Sequence, residues 1–126
     1  MEKKLQVSNC DKLKNSVLSF CLTSHYQEEH IKDVLKLEEK LASKVRGLRL
    51  IVSGAIELCW CASGKIEGVL NVKPSVGLSS AAGKLFVEEA GGKISNLHGN
   101  KRDKIDTLLV TNGKIHDEIV ELLNYG

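Results

Sequence analysis

Proline is nearly absent: Pro74 is the only one among 126 residues. Internal repeats, low-complexity tracts and long linkers are absent too, so nothing marks a second domain. Residues 1–126 read as a single domain, large enough to bury roughly two thirds of its unfolded surface without disulfides or metal. No segment approaches the roughly eighteen apolar residues of a membrane span, and the first residues lack the apolar run of a signal peptide. A cytoplasmic protein is expected. Charge of one sign is missing as well: 18 basic against 16 acidic residues give a formal charge of +2. The basic residues are scattered rather than gathered into a stripe, so neither nucleic acid nor a membrane is expected as a partner. The four cysteines, at positions 10, 21, 59 and 61, show no pairing at zinc-site spacing. On a helix, the one-residue gap of Cys59-Trp60-Cys61 turns the two thiols about 200° apart. They read as reduced, small hydrophobic residues.

What the sequence does have is alternation. An extended piece, Lys4 to Ser8, leads to a strand over Asn15 to Thr23, a helix over Gln27 to Ser43 and a buried strand over Leu48 to Val52. A second helix follows over Ser53 to Ala62, with Ser53 as a plausible N-cap and Ala55, Ile56, Cys59 and Trp60 on one face. Lys65 to Val72 is a strand with both faces covered. Ser79 to Gly92 is a short helix in which Ala82, Leu85, Phe86 and Ala90 form the apolar face, with Lys84 and Glu88 opposite. Strands over Lys93 to Leu97 and Asp106 to Thr111 and a helix over Lys114 to Leu123 complete the chain. The pattern predicts an α/β fold: a three-layer αβα sandwich with a mainly parallel sheet of about five strands. His25, His30, His98 and His116 lack ligand spacing, and no chemistry is assigned to them.

The start of the Ser79 helix carries two readings. A helix N-terminus aims free N–H groups and positive dipole charge at whatever lies in front, which suits a phosphate or a metal-holding carboxylate. The same residues also read as an ordinary buried helix, capped by Ser79 or Ser80 and closed by Gly91.

Three motifs carry a resemblance. Ser53-Gly-Ala-Ile-Glu-Leu-Cys-Trp-Cys-Ala-Ser-Gly-Lys-Ile-Glu-Gly resembles the G-S-A-A-L-E-L-C-Y-V-A-S-G-x-L-D-G of inositol monophosphatases and their archaeal fructose-bisphosphatase relatives. Ala81-Ala-Gly-Lys-Leu-Phe-Val-Glu-Glu-Ala-Gly-Gly-Lys-Ile is similar to A-A-G-x-L-I-V-x-E-A-G-G-x-V, and Thr111-Asn-Gly-Lys-Ile-His-Asp-Glu-Ile to A-S-N-G-x-I-H-D-x-I. Order and spacing agree over nearly the whole chain, which resembles the carboxy-terminal half of that family. The resemblance implies the αβα sandwich and a magnesium-dependent phosphomonoesterase acting on inositol or sugar phosphates.

It also implies what is missing. The family's amino-terminal half supplies a metal-binding glutamate, the D-P-I-D-G-T signature and a threonine that helps orient the nucleophilic water. In the W-D-x-A-A-G motif, whose aspartate completes a magnesium site, the equivalent position here is Ser79. A neutral hydroxyl in place of a carboxylate removes a full negative charge from the metal shell. The expectation is that this chain alone holds no Mg2+ and has no catalytic residues of its own. Ser53 and Gly54 match a pair that contacts substrate hydroxyls, and Asn71 matches an acidic residue that accepts a bond from one. For Ser53 an ordinary N-cap is the competing reading.

Two functions therefore stand side by side. One is the carboxy-terminal domain of a phosphatase, inactive without a partner that completes the site for a sugar or inositol phosphate. The other is a non-catalytic interaction or regulatory module on the same fold. In either case the surface normally covered by the missing half, to which Phe20, Leu22 and Trp60 are candidates to contribute, is expected to bind a separate amino-terminal half or a second copy.

Overall fold

The structure, a computed structural model, describes residues 5–22, 26–50, 54–72, 85, 87–99 and 107–124. Its elements in chain order are β1 (Val17–Phe20), α1 (Glu28–Ala42), β2 (Gly47–Leu50), α2 (Gly54–Ala62), β3 (Gly68–Asn71), β4 (Lys93–Ser95), β5 (Leu108–Thr111) and α3 (His116–Asn124). A 3-10 turn, Leu13–Asn15, precedes β1 and takes in Asn15, the first residue of the expected strand. The expected strands keep their order and number, with β2 starting one residue early at Gly47 and β3 and β4 shorter than expected. The expected Ser53 cap and the start of the Ser79 helix lie outside the described residues. Residues 85 and 87–89 are helical, and the chain turns out of that helix at Gly91 with φ of 94°, as its glycine predicts.

The five strands form one sheet in the order β2-β1-β3-β5-β4. β1 pairs in parallel with both β2 and β3, while β5 runs antiparallel to both β3 and β4. The sheet is thus mixed: β5 alone is reversed and sits between two strands that share one direction. A mainly parallel sheet describes the strand directions but not the pairings. The difference arises because the chain passes from β4 back beside itself as β5 instead of through another helix.

Alternation along each strand sends side chains to two separate cores. Leu18, Phe20, Leu70 and Leu109 face one core with Val34 and Leu41 of α1 and Ile119 and Leu123 of α3. Val69, Ile94, Leu108 and Val110 face the other, with Leu58 and Cys61 of α2 and Val87. Helices therefore cover both faces, giving the expected three layers. The first crossover runs from β1 to β2 and the second from β2 back past β1 to β3, so right-handed connections put α1 and α2 on opposite faces. In α1, Glu28 and Glu29 in the first turn and Lys40 in the last suit the helix dipole. The Lys40 ammonium also donates to the Leu123 carbonyl of α3 at 3.0 Å.

The expected face of α2 is turned around, and that of the following helix holds only in part: Ala90 is buried and Leu85 is not, while Ala82 and Phe86 lie outside the described residues. On α2, Glu57, Leu58, Cys61 and Ala62 are buried, whereas Ile56, Cys59 and Trp60 are exposed. In the following helix Val87 is fully buried while Leu85 is 57% exposed. Both helices carry apolar residues on the side away from the sheet as well as toward it, so periodicity alone does not decide which side packs inward. Phe20, expected near an open surface, is 1% exposed, and Leu22 is packed against the first core.

At the amino ends of β1 and β3 the chain is stitched together through Asn112. Its side-chain amide donates to the carbonyls of Ser8 at 3.0 Å and Cys10 at 2.8 Å, and its carbonyl accepts from Lys114 N–H at 3.0 Å. Gly92 lies beside this strap, and a Cβ there would meet the Thr111 carbonyl and the Val87 side chain at 2.7 Å.

A buried imidazole closes the other side. His116 Nδ1 lies 2.8 Å from Thr111 Oγ1, and Nε2 lies 2.7 Å from Ser95 Oγ. The Ser95 hydroxyl donates to the Asn96 carbonyl at 2.7 Å, so it must accept from Nε2–H. Thr111 Oγ1 accepts from Gly113 N–H at 2.9 Å and can donate to Nδ1. The chain of bonds is complete only for a neutral ring protonated at Nε2. Burial first, and the Lys93 ammonium second, push the His116 pKa down to about 4 against a weaker pull from Asp117. The unfolded chain takes up this proton near 6.5 and the folded one does not, so stability is lost as pH falls from there toward 4. Urea unfolding of the wild type and of His116→Gln checks this: their difference should shrink by roughly 3 kcal/mol between about pH 6.5 and 4.

Candidate functional site

The strand order creates one switch point. From β1 the chain leaves over one face to β2 and returns over the other to β3, so α1 starts from the carboxyl end of β1 and α2 from that of β2, on opposite faces. The crevice at such a point is where open α/β sheets bind ligands. The amino-terminal turn of α2, beginning at Gly54, opens onto it. Of the three residues expected to touch substrate, Asn71 ends β3 and Gly54 begins α2, both toward the carboxyl edge of the sheet. Ser53 lies outside the described residues, as does Ser79.

The crevice holds more polar groups than the motifs named. Asn71 is 2% exposed, and its side-chain carbonyl accepts from the Tyr26 hydroxyl at 2.9 Å. Tyr26 precedes α1 and stacks edge-on against His30, with ring centroids 6.1 Å apart. Its hydroxyl lies beside the Cys21 thiol, and burial first, then that thiol, raise its pKa, so the phenol stays neutral. From β1, Ser19 points to the same side of the sheet as Val17 and Cys21, the side covered by α2. From α2 comes Glu57.

Glu57 is fully buried, and neither of its carboxylate oxygens has a hydrogen-bond partner among the described residues; the Ser19 hydroxyl is buried without one too. Burial pushes the Glu57 pKa up to about 7, and Ser19 pulls it weakly the other way. Glu67, the other buried acid among the described residues, is differently placed: its Oε1 accepts the Val17 N–H at 2.7 Å. Sequence reasoning singled out neither Ser19, Tyr26 nor Glu57. The available signal was Glu57 itself, an acid inside an otherwise apolar helix.

A hollow of about 710 Å3 lies on the opposite face, between α1 and the end of α3. Leu37, Val72, Leu97 and Leu123 supply its walls and Lys36 and Lys40 its rim. None of the residues with an unpaired buried polar atom lines it, so it lacks the converging polar atoms of a specific site.

The strand order and the two helical layers define a three-layer α/β domain. The family model described as "Inositol monophosphatase family" matches residues 1–125, and the chain belongs to that family. It is 27% identical over 124 residues to an inositol-1-monophosphatase of Caulobacter vibrioides, covering 97% of this chain and 48% of that protein. It is 33% identical over 86 residues to a fructose-1,6-bisphosphatase/inositol-1-monophosphatase of Archaeoglobus fulgidus, covering 60% of this chain and 34% of the relative. Among solved structures, an inositol monophosphatase from Anabaena superposes with a TM-score of 0.80 at 27% identity, over 94% of this chain and 47% of that one. The Thermotoga maritima IMPase superposes with a TM-score of 0.81. The chain spans between about a third and a half of the length of these relatives.

The Tyr26 to Asn71 bond fixes the amide that faces the crevice. Tyr26→Phe removes a buried donor and leaves the Asn71 carbonyl one bond poorer, so it should cost about 1 kcal/mol in urea unfolding. An unchanged midpoint would mean that the bond contributes nothing to holding Asn71.

Proposed function

We propose that this chain is the carboxy-terminal domain of a magnesium-dependent phosphatase for inositol or sugar phosphates, and that it is inactive unless an amino-terminal half completes the site. The observation that carries this reading is the position of Asn71 and the α2 amino terminus on the crevice of a domain that spans only part of its relatives. Gly54, with Ser53, would contact substrate hydroxyls there, and Asn71 would accept from one. The cytoplasm is the compartment this reading assigns. Its support is that the four cysteines are free and that no helix among the described residues is long and apolar enough to cross a membrane.

The described residues do not fit a magnesium ion. Mg2+ is held by charged oxygens in a strict octahedron, and no group of three or more acidic, histidine or cysteine side chains converges among the described residues. The one acid at the crevice among them, Glu57, is buried and raised toward neutrality. The missing carboxylates would have to come from the other half, and Ser79 supplies none. No step of hydrolysis is therefore assigned to this chain's own residues.

The purified chain, assayed with inositol monophosphate and with fructose 1,6-bisphosphate at millimolar magnesium, should show no turnover. Losing Lewis acid and activated water together costs many orders of magnitude. Turnover that survives both repeated purification and Ser79→Ala would sink this reading.

The second reading, an interaction module, is favoured by the outer side of the α2 layer. Ile56 is 45% and Trp60 37% exposed on successive turns of α2, and Leu85 is 57% exposed on the neighbouring helix. A helix that is apolar all round is normally buried on all sides. This layer supports binding to an amino-terminal half or, failing that, to a second copy. Light scattering across a concentration series should show association that Ile56→Lys weakens. A monomer at high micromolar concentration in both variants would remove the support for either partner.

A further inference from the structure

Glu57 has a different problem from the other buried polar residues around the crevice. Asn71 has Tyr26, Tyr26 has Asn71, and Glu67 has the Val17 N–H. Glu57 has no hydrogen-bond donor among the described residues, and the hydroxyl beside it, Ser19, is likewise unpaired. A carboxylate in that place would be a buried charge with no cation, no N–H and no hydroxyl of the described residues bonded to it, which a protein interior does not tolerate. A neutral acid is tolerated far better, because it has no charge to strip of water when it packs between the first turns of α2 and β1.

We propose that Glu57 is a positioning residue that works as a neutral, proton-holding acid, clamping the first turns of α2 onto β1 so that the α2 amino terminus is held over the crevice. Ionisation of that acid brings in water and loosens the clamp. The groups around it support this. From β1 come Ser19 and Cys21, from the segment before α1 comes the neutral Tyr26 phenol, and from β3 comes Asn71 through Tyr26. One turn further along α2, the Cys61 thiol is pushed up to about 12, first by burial and then by Glu67. None of these is a cation, and only the Ser19 hydroxyl favours the charged form of Glu57, less than burial opposes it. The rise of its pKa to about 7 points the same way.

The sign follows directly. The unfolded chain releases this proton near 4.5 and the folded domain near 7. Stability from the neutral acid is fully present below 4.5 and is lost as pH rises toward 7, after which the loss is constant. A glutamine side chain at this position mimics the neutral acid in size and in its ability to donate, whereas alanine does neither.

The test uses Trp60, the only tryptophan of the chain, which lies three residues beyond Glu57 on the same helix. Wild-type emission under native conditions should change with a one-proton midpoint near pH 7, and Glu57→Gln should remove that transition. In urea, the wild type should lose about a hundredfold in folding equilibrium constant relative to Glu57→Gln between about pH 4.5 and 7. Glu57→Gln should keep wild-type stability at about pH 5, while Glu57→Ala loses it. If Glu57→Ala fails to fold, Ser19→Ala serves instead: it removes the one neighbour that favours the charged form, so the Trp60 midpoint should rise, and a midpoint that falls would overturn the proposal. Superimposable wild-type and Glu57→Gln titrations, or a Glu57→Gln variant as unstable in mild acid as Glu57→Ala, would overturn the proposal. None of these readouts depends on phosphatase activity, so their failure is distinct from failure of the proposed function.

Discussion

Everything in this domain depends on β1 being paired in parallel on both sides. A strand with parallel neighbours left and right needs two crossovers in opposite directions, and right-handedness then sends one helix to each face. The two cores, the three layers and the crevice at the carboxyl ends of β1 and β3 are consequences of that single pairing. The Asn112 strap, by contrast, sits at the amino ends of the same strands and leaves the crevice end free for α2, Tyr26 and Asn71.

Much of this arrangement was legible in the sequence. The order of strands and helices followed from periodicity, and the three motifs pointed to the family. Three things were not legible, each for a physical reason. The direction of β5 depends on which neighbour it pairs with, and nothing local to Leu108 through Thr111 encodes that. The packing face of α2 was misread because Ile56, Cys59 and Trp60 are as apolar as Leu58, Cys61 and Ala62; a helix with two apolar sides has no unique inward face until its neighbours are known. The polar residues of the crevice were missed because Ser19, Tyr26 and Glu57 lie apart in the chain and meet only through the crossover topology.

That reversal of faces bears on function more than on fold. A surface helix normally pairs one apolar stripe with a charged outer side, as α1 does with its lysines and glutamates. The α2 layer departs from that rule: isoleucine, tryptophan and leucine side chains stand on its outer side. The family motifs and the exposed side chains thus draw attention to the same layer by separate routes, the first through the α2 amino terminus and the second through the flank of the same helix.

The two buried titrating groups, His116 and Glu57, lie on opposite faces of the sheet and are displaced from their usual ranges toward each other. Between pH 4.5 and 6.5, folding takes up a proton at Glu57 and expels one at His116. The net exchange over that window is close to nil. These two contributions to the pH profile therefore oppose each other over that window. Removing either group alone would unmask the pH dependence of the other, one on each side of the sheet.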